Sequence, residues 1–193
     1  KNYLNNADDN FEMMRPEWGN DIVKDSANNF WFASTFGLHL LSEGKLKTYL
    51  NDKFDETSLS GYVVSALLID SKGKLWIGTE NGLNCYIANA DKFNRIEALD
   101  GKIKAIAEDS YGILWITMND GLYAYNHTTK DLRKFDESDG LQGKQFVERS
   151  SLLLSDGSLL FGGMNGFNLF NPDSLVRHNF NVPTYFTKFL ISD

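Results

Sequence analysis

Asp70-Ser71-Lys72-Gly73-Lys74-Leu75-Trp76-Ile77-Gly78-Thr79, followed by Gly82-Leu83 and Tyr86, is the stretch on which the fold turns. It is repeated. Asp109-Ser110-Tyr111-Gly112-Ile113-Leu114-Trp115-Ile116-Thr117 leads to Gly121-Leu122 and Tyr125, and Asp25-Ser26-Ala27-Asn28-Asn29-Phe30-Trp31-Phe32-Ala33-Ser34 leads to Gly37-Leu38. A fourth, drifted copy reads Ser155-Asp156-Gly157-Ser158-Leu159-Leu160-Phe161-Gly162-Gly163, then Gly166-Phe167 and Phe170. It aligns without a gap when Leu160 takes the Trp position, so the copies start at 25, 70, 109 and 154, spaced by 45, 39 and 45 residues. A period of that length signals a propeller or a solenoid.

The phrase itself decides between them. Leu-Trp-Ile is an apolar run of strand length bounded by turn residues, and a strand apolar on both faces must be covered on both. The preceding Asp-Ser-x-Gly is a tight turn, in which Asp or Ser bonds the backbone ahead and Gly supplies a positive φ. The first copy has Asn28 where the others have glycine, and Asn is among the few other residues that tolerate that conformation. Asn81-Gly82, Asp120-Gly121 and Asn165-Gly166 carry the strongest two-residue hairpin signal. Each unit therefore reads as a meander: strand a (63–69, 103–107), strand b with Trp31, Trp76, Trp115 or Leu160, strand c with Gly-Leu-x-x-Tyr, and a weaker outer strand d (46–50, 93–96, 132–135). Such units around an axis are propeller blades, so the fold class is all-β, with about four blades and no helix beyond about three turns.

Tyr3 lies 22 residues before Asp25, as Tyr86 lies 23 before Asp109, and Phe11 falls where Phe93 falls. Residues 1–14 thus read as the remnant of a preceding blade, 1–182 as propeller, and 183–193 as a junction strand to a following domain. With no initiator Met and no signal-peptide succession, the expectation is a piece of a longer protein with a larger propeller. Only the ends break the repeat, so one domain is expected.

At 193 residues the chain can bury a real core. Its net charge of −7 argues against nucleic acid and anionic membrane surfaces. A run of 18 apolar residues is absent, which argues against membrane insertion. The single Cys85, in strand c, reads as a small buried hydrophobe and leaves the redox compartment open.

The repeat resembles the two-component regulator propeller repeat of the periplasmic sensor regions of hybrid histidine kinases, almost letter for letter at residues 70–83. Asp139-Gly140-Leu141, Phe146, Asp156-Gly157, Phe161-Gly162-Gly163, Gly166-Phe167, Phe170-Asn171-Pro172-Asp173, and Pro183 with Thr187 resemble the last blade of such sensors. The resemblance implies a periplasmic ligand-sensing region, typically for glycan fragments, coupled to a kinase. It also implies that the last blade runs into an immunoglobulin-like triple-tyrosine domain. The implied partners are an oligosaccharide ligand, the rest of the propeller and that following domain. Separately, an arc of about four blades leaves strand edges and a blade face open, so a second copy in a homodimer is a further expected partner.

Enzyme readings find less support. His39, His127 and His178 sit in different parts of different blades, without His-x-x-x-His or Cys-x-x-Cys, so neither a metal nor another cofactor is expected. The Asp of each turn recurs at 25, 70 and 109, as a structural cap does and a unique catalyst does not. A sialidase-like hydrolase would need an arginine cluster, whereas the five arginines are Arg15, Arg95, Arg133, Arg149 and Arg177, with Arg95 and Arg133 on outer strands. That hydrolase, a lyase and a plain protein-interaction propeller stay open beside the sensor.

With strands running a to d from the axis outward, the d–a and b–c loops share one face. The candidate ligand-binding residues there are Trp18, Tyr62, Asn81, Asp120, Gln145, Arg149 and Asn165, aromatics beside amides and charges of the kind that suit sugar rings. The hairpin Asn and Asp residues also have a purely local reason, turn chemistry.

Overall fold

In a computed structural model, residues 19–176 are described. The turn–strand phrase folds as its chemistry demands. Asp70 Oδ1 accepts the backbone N–H groups of Lys72 (3.0 Å) and Lys74 (2.8 Å), and Gly73 closes the turn at φ +80°. Asn28, Gly112 and Gly157 hold the same left-handed conformation at φ 66°, 77° and 82°.

Each copy then unrolls as an antiparallel meander. The first blade is β1 (Gly19–Lys24), β2 (Phe30–Ser34), β3 (Gly37–Ser42) and β4 (Lys45–Tyr49). The second is β5 (Val64–Ile69), β6 (Leu75–Thr79), β7 (Gly82–Ile87) and β8 (Lys92–Ile96). The third is β9 (Ala105–Glu108), β10 (Leu114–Met118), β11 (Gly121–Tyr125) and β12 (Leu132–Phe135). The fourth has three strands, β13 (Phe146–Leu153), β14 (Leu159–Gly163) and β15 (Gly166–Phe170), after which the described chain enters the short helix α1 (Pro172–Val176). Helix among the described residues is confined to α1 and a 3-10 turn at Glu137–Asp139. The fold is an all-β propeller of four blades.

The strands expected from the sequence are present with ends moved by one or two residues. The first two outer strands begin a residue early, at Lys45 and Lys92, and the third inner strand begins only at Ala105. The remnant assigned to 1–14 and the junction strand at 183–193 lie outside the described residues.

Blade stacking creates three apolar clusters, one at each interface between successive blades. Every Trp of strand b faces the next blade and meets an aromatic at or next to the end of its strand c. Trp31 lies 4.9 Å from Tyr86, Trp76 6.4 Å from Tyr125 and Trp115 4.9 Å from Phe170, between ring centroids. The aromatic three residues after Gly82-Leu83, Gly121-Leu122 and Gly166-Phe167 is therefore the seat for the preceding blade's Trp. Cys85 is half-buried at the edge of the second cluster rather than enclosed, because it pairs beside Trp76 near the outer part of its sheet.

Candidate ligand-binding face

The recurring aspartate does more than cap a turn. Its second oxygen accepts the indole N–H of the Trp six residues on: Asp25–Trp31 3.1 Å, Asp70–Trp76 2.9 Å and Asp109–Trp115 2.8 Å. In the fourth blade Leu154 takes the Asp place, shown by the same backbone bonds (Leu154 N–H to Ser158 O, 2.8 Å; Gly157 N–H to Leu154 O, 3.0 Å), and Leu160 takes the Trp place. Both halves of the pair are replaced together, so Asp25, Asp70 and Asp109 have a structural role in their blades.

The described histidines are absorbed by packing. His39 is buried, with Nε2 2.9 Å from Ser34 Oγ and Nδ1 2.9 Å from Thr48 Oγ1, and burial pushes its pKa down. His127 is buried against Trp76, with Nε2 4.0 Å from Asp70, and burial followed by Lys74 pushes its pKa down while Asp70 opposes. No three of His, Cys, Asp and Glu gather into a metal-sized group among the described residues.

The opposite end of the blades collects the strand-a entries and the b–c hairpins, as the meander requires. Tyr62 and Asn81 are neighbours there, because the Glu80 carboxylate takes the backbone N–H of Tyr62 (2.8 Å) and Val63 (2.7 Å). Tyr62 is 55% exposed and its ring is left in solvent. Gln145 and Asn165 are likewise neighbours, since the Gln145 carbonyl accepts the Met164 N–H at 2.9 Å. Asp120 is committed locally. It accepts from Lys134 and from the Tyr123 hydroxyl, and these outweigh the burial that would raise its pKa, so the carboxyl is held below its ordinary value.

Arg149 reaches furthest. From β13 its Nη1 donates to the Asn20 carbonyl of the first blade at 2.7 Å. Beside it stands Lys104, which the motif reading passes over, and whose Nζ donates to the Phe146 carbonyl at 2.8 Å. The face thus brings Tyr62 to Asn81, Gln145 to Asn165 and Arg149 to Asn20. Trp18 lies outside the described residues.

A model of the two component regulator propeller matches residues 58–81. Residues 58–81 are a two-component regulator propeller repeat. The repeat's relatives place it in larger proteins. Histidine kinase P4 of Formosa agariphila is 32% identical over 68 residues, which is 35% of this chain and 5% of that protein. The extracellular domain of a B. thetaiotaomicron protein described as a hybrid two-component system shares the fold, with TM-score 0.71 and 24% identity over 83% of this chain and 22% of its own. Virginiamycin B lyase of Staphylococcus aureus also shares the fold, with TM-score 0.57 and 15% identity over 78% of this chain and 54% of its own. The chain spans only a small fraction of the sensor proteins it matches.

Proposed function

We propose that this chain is a non-catalytic sensing module of a hybrid two-component histidine kinase, held in the periplasm and responding to glycan fragments. The observation that carries the reading is the repeat match at residues 58–81, set on a face where exposed Tyr62 stands beside Asn81 and where amides and one arginine gather. A flat aromatic beside amides suits a sugar ring and its hydroxyls. The extracellular setting of the B. thetaiotaomicron relatives supports the location, and none of the described helices is long and apolar enough to cross a membrane.

Ligand binding drives output only if one arrangement of propeller and following domain binds the ligand better than the other. The stretch 183–191 is the proposed coupling element to a following immunoglobulin-like domain. Kinase output of the intact receptor is to be measured with an oligosaccharide panel, before and after 183–193 is replaced by a Gly-Ser stretch. The expected result is a ligand-dependent signal that the replacement abolishes. A signal unchanged by the replacement reduces the junction to a tether, and no response to any glycan removes the sensing reading.

The lyase neighbours favour a second reading, but His39 and His127 are buried in packing and Asp25, Asp70 and Asp109 are spent on the fold.

A further inference from the structure

Counting back five residues from the turn position of each copy (25, 70, 109 and 154) gives Asn20, Ser65, Lys104 and Arg149. One repeat position, polar in all four blades, stands where the innermost strands enter. Its members link the blades in a ring. Asn20 Nδ2 donates to Val64 O at 2.7 Å, and Ser65 Oγ donates to Ile103 O at 2.6 Å. The Arg149 backbone N–H donates to Lys104 O at 2.8 Å, and its guanidinium closes the circuit on Asn20 O.

The fourth blade distorts itself to join this collar. In β13, Phe146 pairs with Gly163 but the next partners are Ser151 and Phe161, so the bulge between them is longer than the single-residue slips of β1 and β5. Arg149 sits in that bulge at φ 57°, a left-handed backbone that a residue with a Cβ adopts at a cost. Strain of this kind is kept where the surroundings or a function hold it.

The charges around the collar are unbalanced. Lys104 and Arg149 are both held by neutral carbonyls, and neither is paired with a carboxylate among the described residues. Two acids next to collar residues in sequence are occupied. Asp21 accepts the N–H groups of Ile22 and Leu67 at 2.8 Å each, and Glu148 pairs with Lys102 at 2.6 Å. Both cations stand at the same repeat position of neighbouring blades, joined through the Arg149 N–H to Lys104 carbonyl bond, in a chain of net charge −7. The guanidinium keeps further donors in a fork that matches two oxygens of one anion.

We propose that Lys104 and Arg149 form an oxyanion site at the mouth of the propeller axis, taking a carboxylate or sulfate group of the ligand. It rests on the reading that this face receives the ligand, and it narrows that ligand to one bearing negative charge. Coulomb attraction from two adjacent cations recruits such a group and weakens as salt rises.

The test is titration calorimetry on the full chain with methyl glucuronide (carboxylate), glucose 6-sulfate, methyl glucoside (neutral) and inorganic sulfate. Two variants follow the repeat's own choices, Arg149→Asn and Lys104→Ser. Asn tolerates the left-handed backbone, so R149N folds, and its melting temperature is read alongside. The expected result is binding of at least one charged probe that falls tenfold or more in each variant and declines with added KCl, the R149N melting temperature staying near that of the parent. The preferred anion tells carboxylate from sulfate. Charged and neutral sugars binding alike, or R149N retaining the charged probe within twofold, overturns the site and leaves the sensing reading standing. Inorganic sulfate binding that needs both cations, with no sugar bound, upholds the site and counts against glycan sensing.

Discussion

The residue that organises this fold is the turn aspartate, because one carboxylate serves three donors. Removing it at Asp70 frees two backbone N–H groups and the indole N–H of buried Trp76. An orphaned buried donor costs about 1–3 kcal/mol, so Asp70→Ala is expected to lose about 2–3 kcal/mol in urea unfolding. Trp76→Ala and Trp115→Ala empty the centres of two interfaces, where both rings are almost fully buried. Each is expected to cost about 3–5 kcal/mol. Leu160→Ala, facing open space rather than a neighbouring blade, is expected to cost under about 2 kcal/mol on the same scale. Equal losses at Trp115 and Leu160 would contradict the blade register.

Histidine gives the residue scale a pH signature. Burial lowers the pKa of His39 and His127 below the ordinary 6.5. The unfolded chain then binds more protons than the folded one between the folded-state pKa and 6.5, so stability rises with pH through that window. It is fully present above the unfolded value and is lost as pH falls. His39 occupies the strand-c position that Asn84 occupies in the second blade, each opposite the strand-b residue after Trp. Thermal melts from pH 7.5 to 5 are expected to show a falling midpoint, and His39→Asn to flatten part of that fall. A parent slope unchanged by the variant would exclude His39 as its source.

At the scale of elements, strands b and c were legible because their signals are local: Leu-Trp-Ile for one, Asn-Gly or Asp-Gly before the other. The Asp–Trp bond was legible in principle as a fixed six-residue offset lost in both members at Leu154 and Leu160, yet turn chemistry alone accounts for the aspartate and hides its second role. The bulge in β13 was not legible, since it arises from fitting Arg149 between Lys104 and Asn20 in other blades. The binding face followed from topology, whereas the pairing of residues on it depends on tertiary bonds such as Glu80 to Tyr62.

A compensated exchange inside one element supplies a further prediction. In the second blade Ser60 Oγ lies 2.8 Å from Thr79 Oγ1 and accepts from Asn84 Nδ2 at 2.8 Å. In the fourth blade Asn168 stands for Asn84 and accepts the Gln142 N–H at 2.9 Å, as Asn84 accepts the Ser60 N–H at 2.9 Å. The longer Gln142 fills the space that Gly163 leaves by lacking a side chain, and a Cβ on Gly163 would collide with the Gln142 amide. Gly163→Thr alone is therefore expected to destabilise by about 1–3 kcal/mol through overpacking. The double change with Gln142→Ser is expected to recover the part due to the Gln142 side chain, the Gln145 carbonyl still lying 2.9 Å from the new Cβ, giving a coupling of about 0.5–3 kcal/mol in a double-mutant cycle. Additive losses would mean that the two sites do not share that space.

At the scale of the molecule, the same rule that joins successive blades leaves two faces unjoined. A strand-b Trp row meets the next blade three times, and the corresponding row of the fourth blade is Leu152, Leu160 and Leu169, aligned across β13, β14 and β15. Leu152 and Leu169 are each 54% exposed. On the first blade the opposite kind of face carries Ile22 at 60% and Phe30 at 39% exposure. Among the described residues the Arg149–Asn20 bond reaches from one of these blades to the other near the axis, while the apolar rows further out stay uncovered. Contiguous apolar surface of this kind drives association unless something covers it. Light scattering across a concentration series is expected to show an average mass that climbs with concentration, and Leu152→Ser with Leu169→Ser to flatten the climb. Because the replaced side chains are half in solvent, the double variant should keep its melting temperature within a few degrees. A parent chain that stays monomeric at every concentration would overturn this prediction, and the exposed apolar rows would not be association surfaces.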